Sequence, residues 1–440
     1  MKDVLRELKR RLTEEDFNRF NGRVTRVVGL IVESQGPDAF LGEMCKISLQ
    51  NGKNALAEVV GFKEGRVVLM PYEDVSGLRM GCEVIRTNRV LEIGVGRNMI
   101  GRVFDGLGRP LDGRSFVPEE RYPLTNSPPH PLKRKRIKNP LPVGVRAIDG
   151  FITIGKGQRI GIFAGSGVGK STLLGMIARN TTADVCVLAL IGERGREVRE
   201  FIERDLGEEG LKRSILVVST SDQPALTRVK SLLTATSIAE YYRDLGYDVL
   251  LMVDSLTRWA MAQREVGLAI GEPPTTRGYP PSVFAGLPKI LERAGNSDKG
   301  SITAVYTVLV EADDFNEPIS DTVRSIVDGH IVLSRKLAES NHYPAIDVLA
   351  SVSRLMNDVV SEEHKEAANH LRSLMASYES AKDLIEIGAY KRGTNPLVDK
   401  AIEMQEDINA FLRQGIFEKS SFEETVQMLL ELYSRSLDQM

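Results

Sequence analysis

The sequence predicts an α/β protein: a parallel-sheet core with a phosphate-binding loop, a small β-domain before the core and a helical region after it. Three observations support this prediction. From about residue 144 to 334, strand-like runs alternate with helical segments, which is typical of a parallel sheet covered by helices. From residue 23 to about 96, short strands follow one another between turn residues. Residues 361–440 show helical periodicity and no strand pattern.

Length and composition indicate a soluble globular protein of several domains. The chain has 440 residues, of which 42% are hydrophobic and 27% charged, with a net charge of −2. This charge does not favour nucleic acid or an anionic membrane as a partner. Three cysteines, Cys45, Cys82 and Cys186, lie far apart, which fits free thiols in a reducing cytosol. We find no signal peptide and no apolar run near the roughly 18 residues of a membrane span.

Residues 2–20 predict an amphipathic helix. Leu5, Leu8 and Leu12 recur at helical spacing, and charged side chains occupy most of the other positions. The apolar stripe either packs on the helix's own domain or contacts a partner or an acidic lipid surface. The residues leave both interpretations open.

The segment from residue 23 to about 96 predicts a small barrel or sandwich. Its candidate strands are short, rich in Val, Ile and Leu, and separated by turns. They are 24–33, 45–49, 55–62, 67–72, 83–87 and 90–95. A barrel that binds nucleic acid needs exposed aromatics among basic residues, and this segment does not offer them.

Residues 101–142 predict an extended connector, because they are dense in turn residues and prolines. A short basic run lies at residues 133–136. Such runs are usually solvated surface, with a subunit contact or a nucleic-acid contact as the alternative.

The core segment predicts six strands and six helices. The strands are 159–163, 185–191, 215–219, 249–253, 302–310 and 330–333, and the helices are 170–180, 196–206, 224–245, 258–266, 283–294 and 319–327. Ligands of such sheets bind at the carboxyl ends of the strands, so we expect functional residues there.

The region 361–440 predicts three helices. Leu371 belongs to the apolar stripe of the first, and Asn395 and Pro396 are a cap and a first turn for the second. Ser421 and Glu424 have the spacing of a capping box for the last.

A phosphate-binding loop follows the first core strand. Its residues are Ala164, Gly165, Ser166, Gly167, Val168, Gly169, Lys170 and Ser171. The glycines let the backbone amides approach an anion, Lys170 supplies a charge to the β- and γ-phosphates, and Ser171 supplies a hydroxyl to Mg²⁺. Ala164 replaces the first glycine of the usual pattern, which is tolerable where φ is negative. The flanking strand and helix favour this site over an incidental turn.

Two acidic residues follow other core strands. Asp254 ends an apolar strand, where a carboxylate contacts Mg²⁺ through a bound water. Glu193 follows another strand and is the candidate base for the attacking water, with Arg194 beside it to steady the γ-phosphate. The structural alternatives are an Asp that begins a turn and a Glu that caps the next helix.

Arg354 ends the run Ser351-Val352-Ser353-Arg354. In a monomer it is an ordinary surface arginine. In a ring it could reach a neighbour's nucleotide, where such a residue contributes roughly 10³–10⁵ to the rate of phosphoryl transfer.

Seven motifs resemble the export ATPases of flagella and type III secretion systems. They are the loop 164–171 and the runs at 191–198, 254–258, 269–274, 278–284, 328–335 and 342–347. The resemblance extends from about residue 22 to the end and is dense from 100 to 395. The flagellar branch is the better match, and the whole family is similar to the catalytic subunits of rotary ATP synthases.

The resemblance implies a domain order and a ring. It implies an amphipathic partner-binding helix over 1–21, a β-barrel over 22–97, a RecA-like ATPase domain over 98–350 and a helical domain over 351–440. It also implies a homohexamer. Glu193 matches the family's catalytic carboxylate, Arg354 the arginine supplied across the subunit interface, and Tyr343 the aromatic residue that stacks on adenine.

The resemblance further implies hydrolysis of ATP with Mg²⁺ to energise the export of flagellar proteins. The expected partners are a soluble regulatory protein at residues 1–21, a stalk-like export protein, the membrane proteins of the export gate and chaperone–substrate complexes, but no nucleic acid. The expected location is the cytoplasm, at the inner membrane beneath the export apparatus.

Four functions are alternatives to flagellar export. A virulence-type secretion ATPase stays open. A rotary synthase subunit is disfavoured because the C-terminal region lacks a concentrated acidic loop. An RNA-translocating hexamer lacks base-stacking aromatics in the barrel. A non-catalytic ring subunit would not need Glu193.

Overall fold

The computed structural model describes residues 21–50, 52–310 and 314–437. The helix predicted over residues 2–20 lies outside the described residues. Within the described part of the chain, no helix is both long and apolar enough to cross a membrane.

The described residues form seventeen strands. They are β1 (Gly22–Val28), β2 (Ile31–Gln35), β3 (Glu43–Ser48), β4 (Asn54–Lys63), β5 (Arg66–Pro71), β6 (Glu83–Val90), β7 (Glu92–Val95), β8 (Arg102–Asp105), β9 (Glu120–Pro123), β10 (Arg159–Ala164), β11 (Val185–Glu193), β12 (Ser214–Thr220), β13 (Asp248–Asp254), β14 (Gly295–Asn296), β15 (Ser301–Leu309), β16 (Gly329–Leu333) and β17 (Ile346–Ser353).

The helices alternate with the core strands and then dominate the last eighty residues. They are α1 (Arg146–Phe151), α2 (Lys170–Asn180), α3 (Gly195–Glu200), α4 (Gly207–Lys212), α5 (Ala225–Asp244), α6 (Leu256–Ala269), α7 (Pro281–Leu291), α8 (Pro318–Ile326), α9 (Arg335–Glu339), α10 (Met356–Val359), α11 (Glu362–Glu386), α12 (Pro396–Leu412) and α13 (Phe422–Leu437). A π-helical turn, Phe201–Leu206, joins α3 to α4.

The first six strands close into a barrel in the order β1-β2-β5-β4-β3-β6. The single strand predicted over 24–33 is wrong, because Gly29 adopts a φ of 55° and turns the chain into the hairpin β1–β2. The last predicted strand leaves the barrel, since β7 pairs with β9 instead. A core of small and β-branched side chains, including Val32, Ala57 and Val84, fills the barrel.

The central sheet has the order β17-β16-β10-β15-β13-β11-β12-β8. Its strands from β16 to β8 run parallel, and β17 is antiparallel to β16. The six predicted core strands are confirmed within a residue or two. Two separate apolar clusters cover the faces of the sheet, so helices protect both sides.

The interpretation of residues 101–142 as a connector alone is wrong. β8 lies within it and pairs in parallel with β12 at the edge of the central sheet. Arg102, at the start of β8, is buried and forms two hydrogen bonds with the carboxylate of Asp112, 2.8 and 2.9 Å long. This pair holds the turn-rich segment against the sheet.

One residue of the basic run 133–136 has a structural role. Arg134 donates to the backbone oxygen of Ala294 at 2.8 Å and also contacts Glu292. It therefore fastens the proline-rich segment to the end of α7.

The C-terminal helices form as predicted. Asn395 accepts a hydrogen bond from the backbone N–H of Leu397 at 3.0 Å and caps α12. Ser421 and Glu424 form the reciprocal capping box at α13, with bonds of 2.8 and 3.1 Å. Arg146 of α1 donates to the backbone oxygen of Phe411 at 2.8 Å, which ties this region to α1.

Candidate active site

The carboxyl ends of the parallel strands gather the predicted site residues at one edge of the sheet. β10 runs into the phosphate-binding loop, β11 ends at Glu193 and β13 ends at Asp254. Leu190 lies opposite Asp254 in the register of β11 and β13, which brings the two acidic residues near each other. A cavity of about 580 Å³ opens at this edge.

The loop between β10 and α2 has the backbone that phosphate binding needs. Gly167 and Gly169 adopt φ values of 78° and 89°, which a side chain would strain. Ala164 is the last residue of β10 and is not among the described residues with positive φ, so this prediction is confirmed. The Val168 side chain is buried in the core, and only its backbone is available to a ligand.

Lys170 begins α2 and contacts both acidic residues. Its Nζ forms a close ion pair with Asp254 Oδ1 and lies 3.9 Å from Glu193 Oε1. Thr307 donates a second hydrogen bond, 2.8 Å long, to the same Asp254 oxygen. In this state the lysine that would meet a phosphate neutralises carboxylates of its own chain.

Glu193 lines the cavity and is paired with an arginine. Arg258 donates from Nε to Glu193 Oε1 at 3.1 Å and from an η-nitrogen to Oε2 at 3.4 Å. Burial, and next the negative charge of Asp254, raise the pKa of Glu193 to about 7. The α3 helix begins beyond it at Gly195, with Arg194 as its N-cap residue. A carboxylate with this pKa can exchange a proton near neutral pH.

Arg194 lines the same cavity but is largely exposed. Its guanidinium donates to Glu197 Oε1 at 3.0 Å, and 77% of the side chain is accessible to solvent. It is therefore within reach of a ligand without being fixed by the core.

Tyr343 lies against the phosphate-binding loop. Its ring is 3.5 Å from the position that a Cβ on Gly169 would occupy, and it is 40% exposed. The backbone oxygen of Tyr343 accepts a hydrogen bond from the N–H of Gln414 at 3.0 Å, so a C-terminal segment supports this loop.

Arg354 is the one predicted site residue, among those described, that lies on the opposite side of the sheet, where the parallel strands begin. Its backbone N–H donates to Asp328, and the N–H of Asp328 donates to Arg159 at the start of β10. The loop follows the other end of β10, about 17 Å away at 3.3 Å per residue. Arg354 is exposed and does not line the cavity of its own chain.

Three cavity-lining charges were not assigned from sequence: Glu197, Arg258 and Arg335. Arg258 lies one helical turn beyond the strand end at Asp254, and Arg335 lies two residues beyond the end of β16. Charge close behind a strand end is the signal that could have identified both.

The residues at the loop fit a hydrated Mg²⁺ that is bound together with a phosphate. Asp254 offers a buried carboxylate and Ser171 a hydroxyl at the edge of the cavity. Mg²⁺ prefers few protein ligands and keeps several waters and phosphate oxygens. Within the described residues, no cluster of three or more His, Cys, Asp or Glu could hold a metal by itself.

Family models match three consecutive parts of the chain. Residues 24–88 match the beta-barrel domain of the ATP synthase alpha/beta family, and residues 144–353 match its nucleotide-binding domain. Residues 360–431 match the EscN ATPase C-terminal domain of type III secretion systems.

Similar proteins cover nearly the whole chain. The "Flagellum-specific ATP synthase" of Bacillus subtilis is 55% identical over 422 residues, which is 95% of this chain and 96% of that protein. The assembled ATPase EscN from the type III secretion system of enteropathogenic E. coli is 49% identical, with a TM-score of 0.88 over 94% of this chain and 100% of that one. EscN in complex with its central stalk EscO gives a TM-score of 0.87 over the same shares.

Proposed function

The chain belongs to the family of flagellum-specific ATP synthases and type III secretion ATPases, and from this premise we propose that it hydrolyses ATP with Mg²⁺ to energise the export of flagellar proteins. The observation that carries the hydrolytic part is the gathering of Lys170, Glu193 and Asp254 at one sheet edge. A binding site alone would need the loop but no partly buried carboxylate with a pKa near neutrality.

The loop and Lys170 bind the phosphates. The backbone amides of residues 165–171 point at the anion, and the N-terminus of α2 adds its partial positive charge. Lys170 leaves its pairing with Asp254 and turns its charge to the β- and γ-phosphates. Ser171 and Asp254 would hold Mg²⁺, and the bound ion would supply positive charge against the charge that develops on the transferring phosphoryl group.

Glu193 acts as the base for hydrolysis. It accepts a proton from the water that attacks the γ-phosphorus, and Arg258 fixes the orientation of its carboxylate. Arg194 steadies the γ-phosphate from the exposed side. The adenine ring stacks on Tyr343, whose ring lies close to Gly169.

Arg354 completes the site of a neighbouring subunit. Its place at the opposite edge of the sheet supports this role, because it is too far from its own loop to contact the same nucleotide. The subunits then form a homohexamer with one site at each interface. The similarity to an assembled ATPase supports this arrangement.

The proposed division of the chain follows from these roles. Residues 1–21 bind a soluble regulatory partner, 22–97 form the barrel, 98–350 the ATPase domain and 351–440 the helical domain. A central stalk protein, as in the complex of EscN with EscO, the export gate and chaperone–substrate complexes are the further partners. The ring works in the cytoplasm against the inner membrane.

Replacing Glu193 by Gln tests the hydrolytic proposal. We expect ATP turnover to fall by about 10²-fold or more, because the base is lost, while the Kd for ATP changes little. Phosphate release and equilibrium binding of ATP measure the two quantities. Glu200→Gln is the matched control, since Glu200 pairs with Arg196 on exposed surface. Turnover that survived in Glu193→Gln would contradict the assignment of the base.

Swimming motility tests the export proposal. A strain that lacks this chain should lose flagellar filaments, and the wild-type gene but not the Glu193→Gln gene should restore them. Intact filaments together with loss of another secreted protein would instead support a virulence-type secretion ATPase.

A further inference from the structure

Two grooves lie on opposite walls of the N-terminal barrel. In its closed order β1-β2-β5-β4-β3-β6, the strands β1, β2 and β5 form one half of the wall, and β4, β3 and β6 form the other half. A groove of about 330 Å³ is lined by β3, β4 and β6. A groove of about 290 Å³ is lined by β1, β2, the end of β5 and the start of α5. The barrel therefore presents one groove on each side.

The groove on β3, β4 and β6, which we call the basic groove, has an apolar lining and a positive rim. The apolar side chains are half-buried and are those of Met44, Leu56 and Ile85. Lys46 and Arg89 are exposed, and neither pairs with a carboxylate among the described residues. A third cation, Arg86, lies 3.7 Å from the buried carboxylate of Glu43 and is balanced by it. The charge that this groove offers to a partner is therefore positive.

The groove on β1, β2 and β5, which we call the acidic groove, has the opposite charge. Its most exposed apolar side chains are those of Val27 and Leu30, which are 44% and 43% accessible to solvent. Asp74 and Asp222 are exposed, and neither pairs with a cation among the described residues. Glu73 also lines the groove but forms an ion pair with Arg109. Two unbalanced carboxylates therefore lie beside exposed apolar surface.

The two grooves are complementary to each other in charge and alike in apolar content. A contact between them would bring the apolar linings together and would set Lys46 and Arg89 against Asp74 and Asp222. Because both halves of this contact belong to the same chain, the partner that fits each groove is a second copy. Two different surfaces on opposite sides of one subunit make a heterologous contact, and such contacts generate rings when the rotation closes.

The position of the acidic groove agrees with the shared active site. The backbone N–H of Ser221 donates to the oxygen of Glu193 at 3.0 Å, and Asp222 of the acidic groove is the next residue. The groove therefore lies near the end of the sheet at which Arg354 of a neighbour is proposed to enter. One neighbouring copy could contact the nucleotide site and the acidic groove together.

We propose that the basic groove of one subunit docks on the acidic groove of the next, and that this ionic contact between barrels controls how strongly the chain self-associates. The proposal rests on the homo-oligomer of the proposed function. It adds to that function the surface, its charge and its dependence on salt.

Charge reversal in the full chain tests the contact. Lys46→Glu with Arg89→Glu leaves a chain with two acidic grooves, and Asp74→Lys with Asp222→Lys leaves a chain with two basic grooves. Sedimentation velocity with a non-hydrolysable ATP analogue present measures the association constant. Each double variant should self-associate at least tenfold more weakly than the parent chain, because like charges then meet at every contact.

Lys63→Glu with Arg79→Glu is the matched control. It removes the same charge from exposed positions of the barrel domain that lie outside both grooves. Its association constant should stay within about twofold of the parent value, because charges on exposed surface away from a contact are screened by salt. A loss as large as in the groove variants would show that net charge, and not the groove contact, controls assembly.

Mixing the two groove variants separates a lost contact from a damaged fold. An equal mixture should assemble to the level of the parent chain, because each acidic groove then meets a basic groove of the other variant. A variant that fails to fold cannot regain assembly in this way. No recovery in the mixture, with both variants folded by circular dichroism, would overturn the contact.

Salt and the parent chain complete the test. Raising NaCl from about 0.05 to 0.5 M should weaken self-association of the parent at least fivefold, because screening shortens the reach of the charges. Groove variants that assemble like the parent would overturn the contact and leave the proposed ring intact. A parent chain that stays monomeric would contradict both. Stronger self-association of Asp74→Lys with Asp222→Lys would overturn the contact and favour the basic residues 2–20 of the same chain as the occupant of the acidic groove.

Discussion

The pKa of Glu193 is raised because β11 ends at this residue, beside Asp254. The strand delivers the carboxylate into a partly buried site beside Asp254, and both burial and that charge disfavour ionisation. Lys170 and Arg258 oppose the shift without cancelling it. The balance of these four groups sets the proton affinity of the proposed base.

The pH dependence of hydrolysis follows from this balance. A base acts only when deprotonated, and the pKa of Glu193 is about 7, so kcat/KM should rise about tenfold per pH unit below neutrality and level off above it. Arg258 lowers this pKa. Arg258→Gln should therefore move the inflection to higher pH in steady-state kinetics.

In that experiment the pH at the inflection is compared between the parent chain and Arg258→Gln. The phosphate groups of the substrate titrate at about pH 6, and they contribute equally to the profiles of both chains. An inflection that stayed in place, or moved to lower pH, in Arg258→Gln would contradict the role of Glu193 as the titrating base.

Sequence reasoning singled out candidate site residues that share a linear pattern. The glycine spacing marked the phosphate loop, and apolar strands ending in an acid marked Asp254 and Glu193. Arg258 was missed because its contact with Glu193 crosses from one strand end to another element. Such a pairing depends on the order of strands in the sheet, which spacing along the chain does not encode.

At the scale of secondary-structure elements, a buried ion pair joins α5, the chain just beyond α7 and the segment at residues 124–126. Arg293, beyond the end of α7, makes two hydrogen bonds of 2.9 and 2.7 Å with Glu240 of α5. Both side chains are almost fully buried. Arg293 also donates to the backbone oxygen of Leu124, and Asn126 donates to Glu240. The pair therefore fixes three parts of the chain at once.

Arg293→Met should cost about 3–5 kcal/mol, because it leaves the Glu240 charge buried and unpaired. The double variant Arg293→Met with Glu240→Leu should recover most of this loss. Urea unfolding measures it through the fluorescence of Trp259, the single tryptophan of the chain, which is buried in α6.

Arg199→Met is the matched control for this pair. Arg199 bonds Glu203 at 2.8 Å on exposed surface, and such pairs contribute at most about 1 kcal/mol. A loss in Arg293→Met no larger than in Arg199→Met would show that the buried pair does not stabilise the layer.

The elements that sequence reasoning missed are those that depend on tertiary pairing. The core strands were predicted because they are long apolar runs. β8 has four residues among turn residues, and β17 mixes buried and exposed positions at the sheet edge. Strand propensity reflects packing partners more than the backbone alone, so these edge strands exist because β12 and β16 lie beside them.

At the scale of the whole molecule, the phosphate loop and Arg354 lie at opposite ends of the parallel strands of the central sheet. Both were candidates from the sequence, and the family resemblance suggested a site shared by two subunits. The structure adds the distance between the loop and Arg354 within one chain. Because β17 is antiparallel to β16, it ends where the parallel strands begin. Spacing along the sequence does not encode this direction.

Mixing two inactive variants tests the shared site. Arg354→Ala and Glu193→Gln should each abolish turnover in homo-oligomers. In a random equal mixture about one quarter of the interfaces combine an intact Glu193 with an intact Arg354, so a corresponding share of ATP turnover should return. Phosphate release before and after subunit exchange measures it. A mixture as inactive as its components would contradict a site completed by a neighbour.

The placement of Arg354 and the phosphate loop on opposite edges also gives the assembly a direction. Each subunit would place its Arg354 at the interface with one neighbour and its phosphate loop at the interface with the other, as in a head-to-tail assembly. An open arc then has one fewer complete site than it has subunits, and closing the ring adds the last site without adding a subunit. Turnover per subunit should accordingly rise with protein concentration, and ring closure itself would act as the final step of activation.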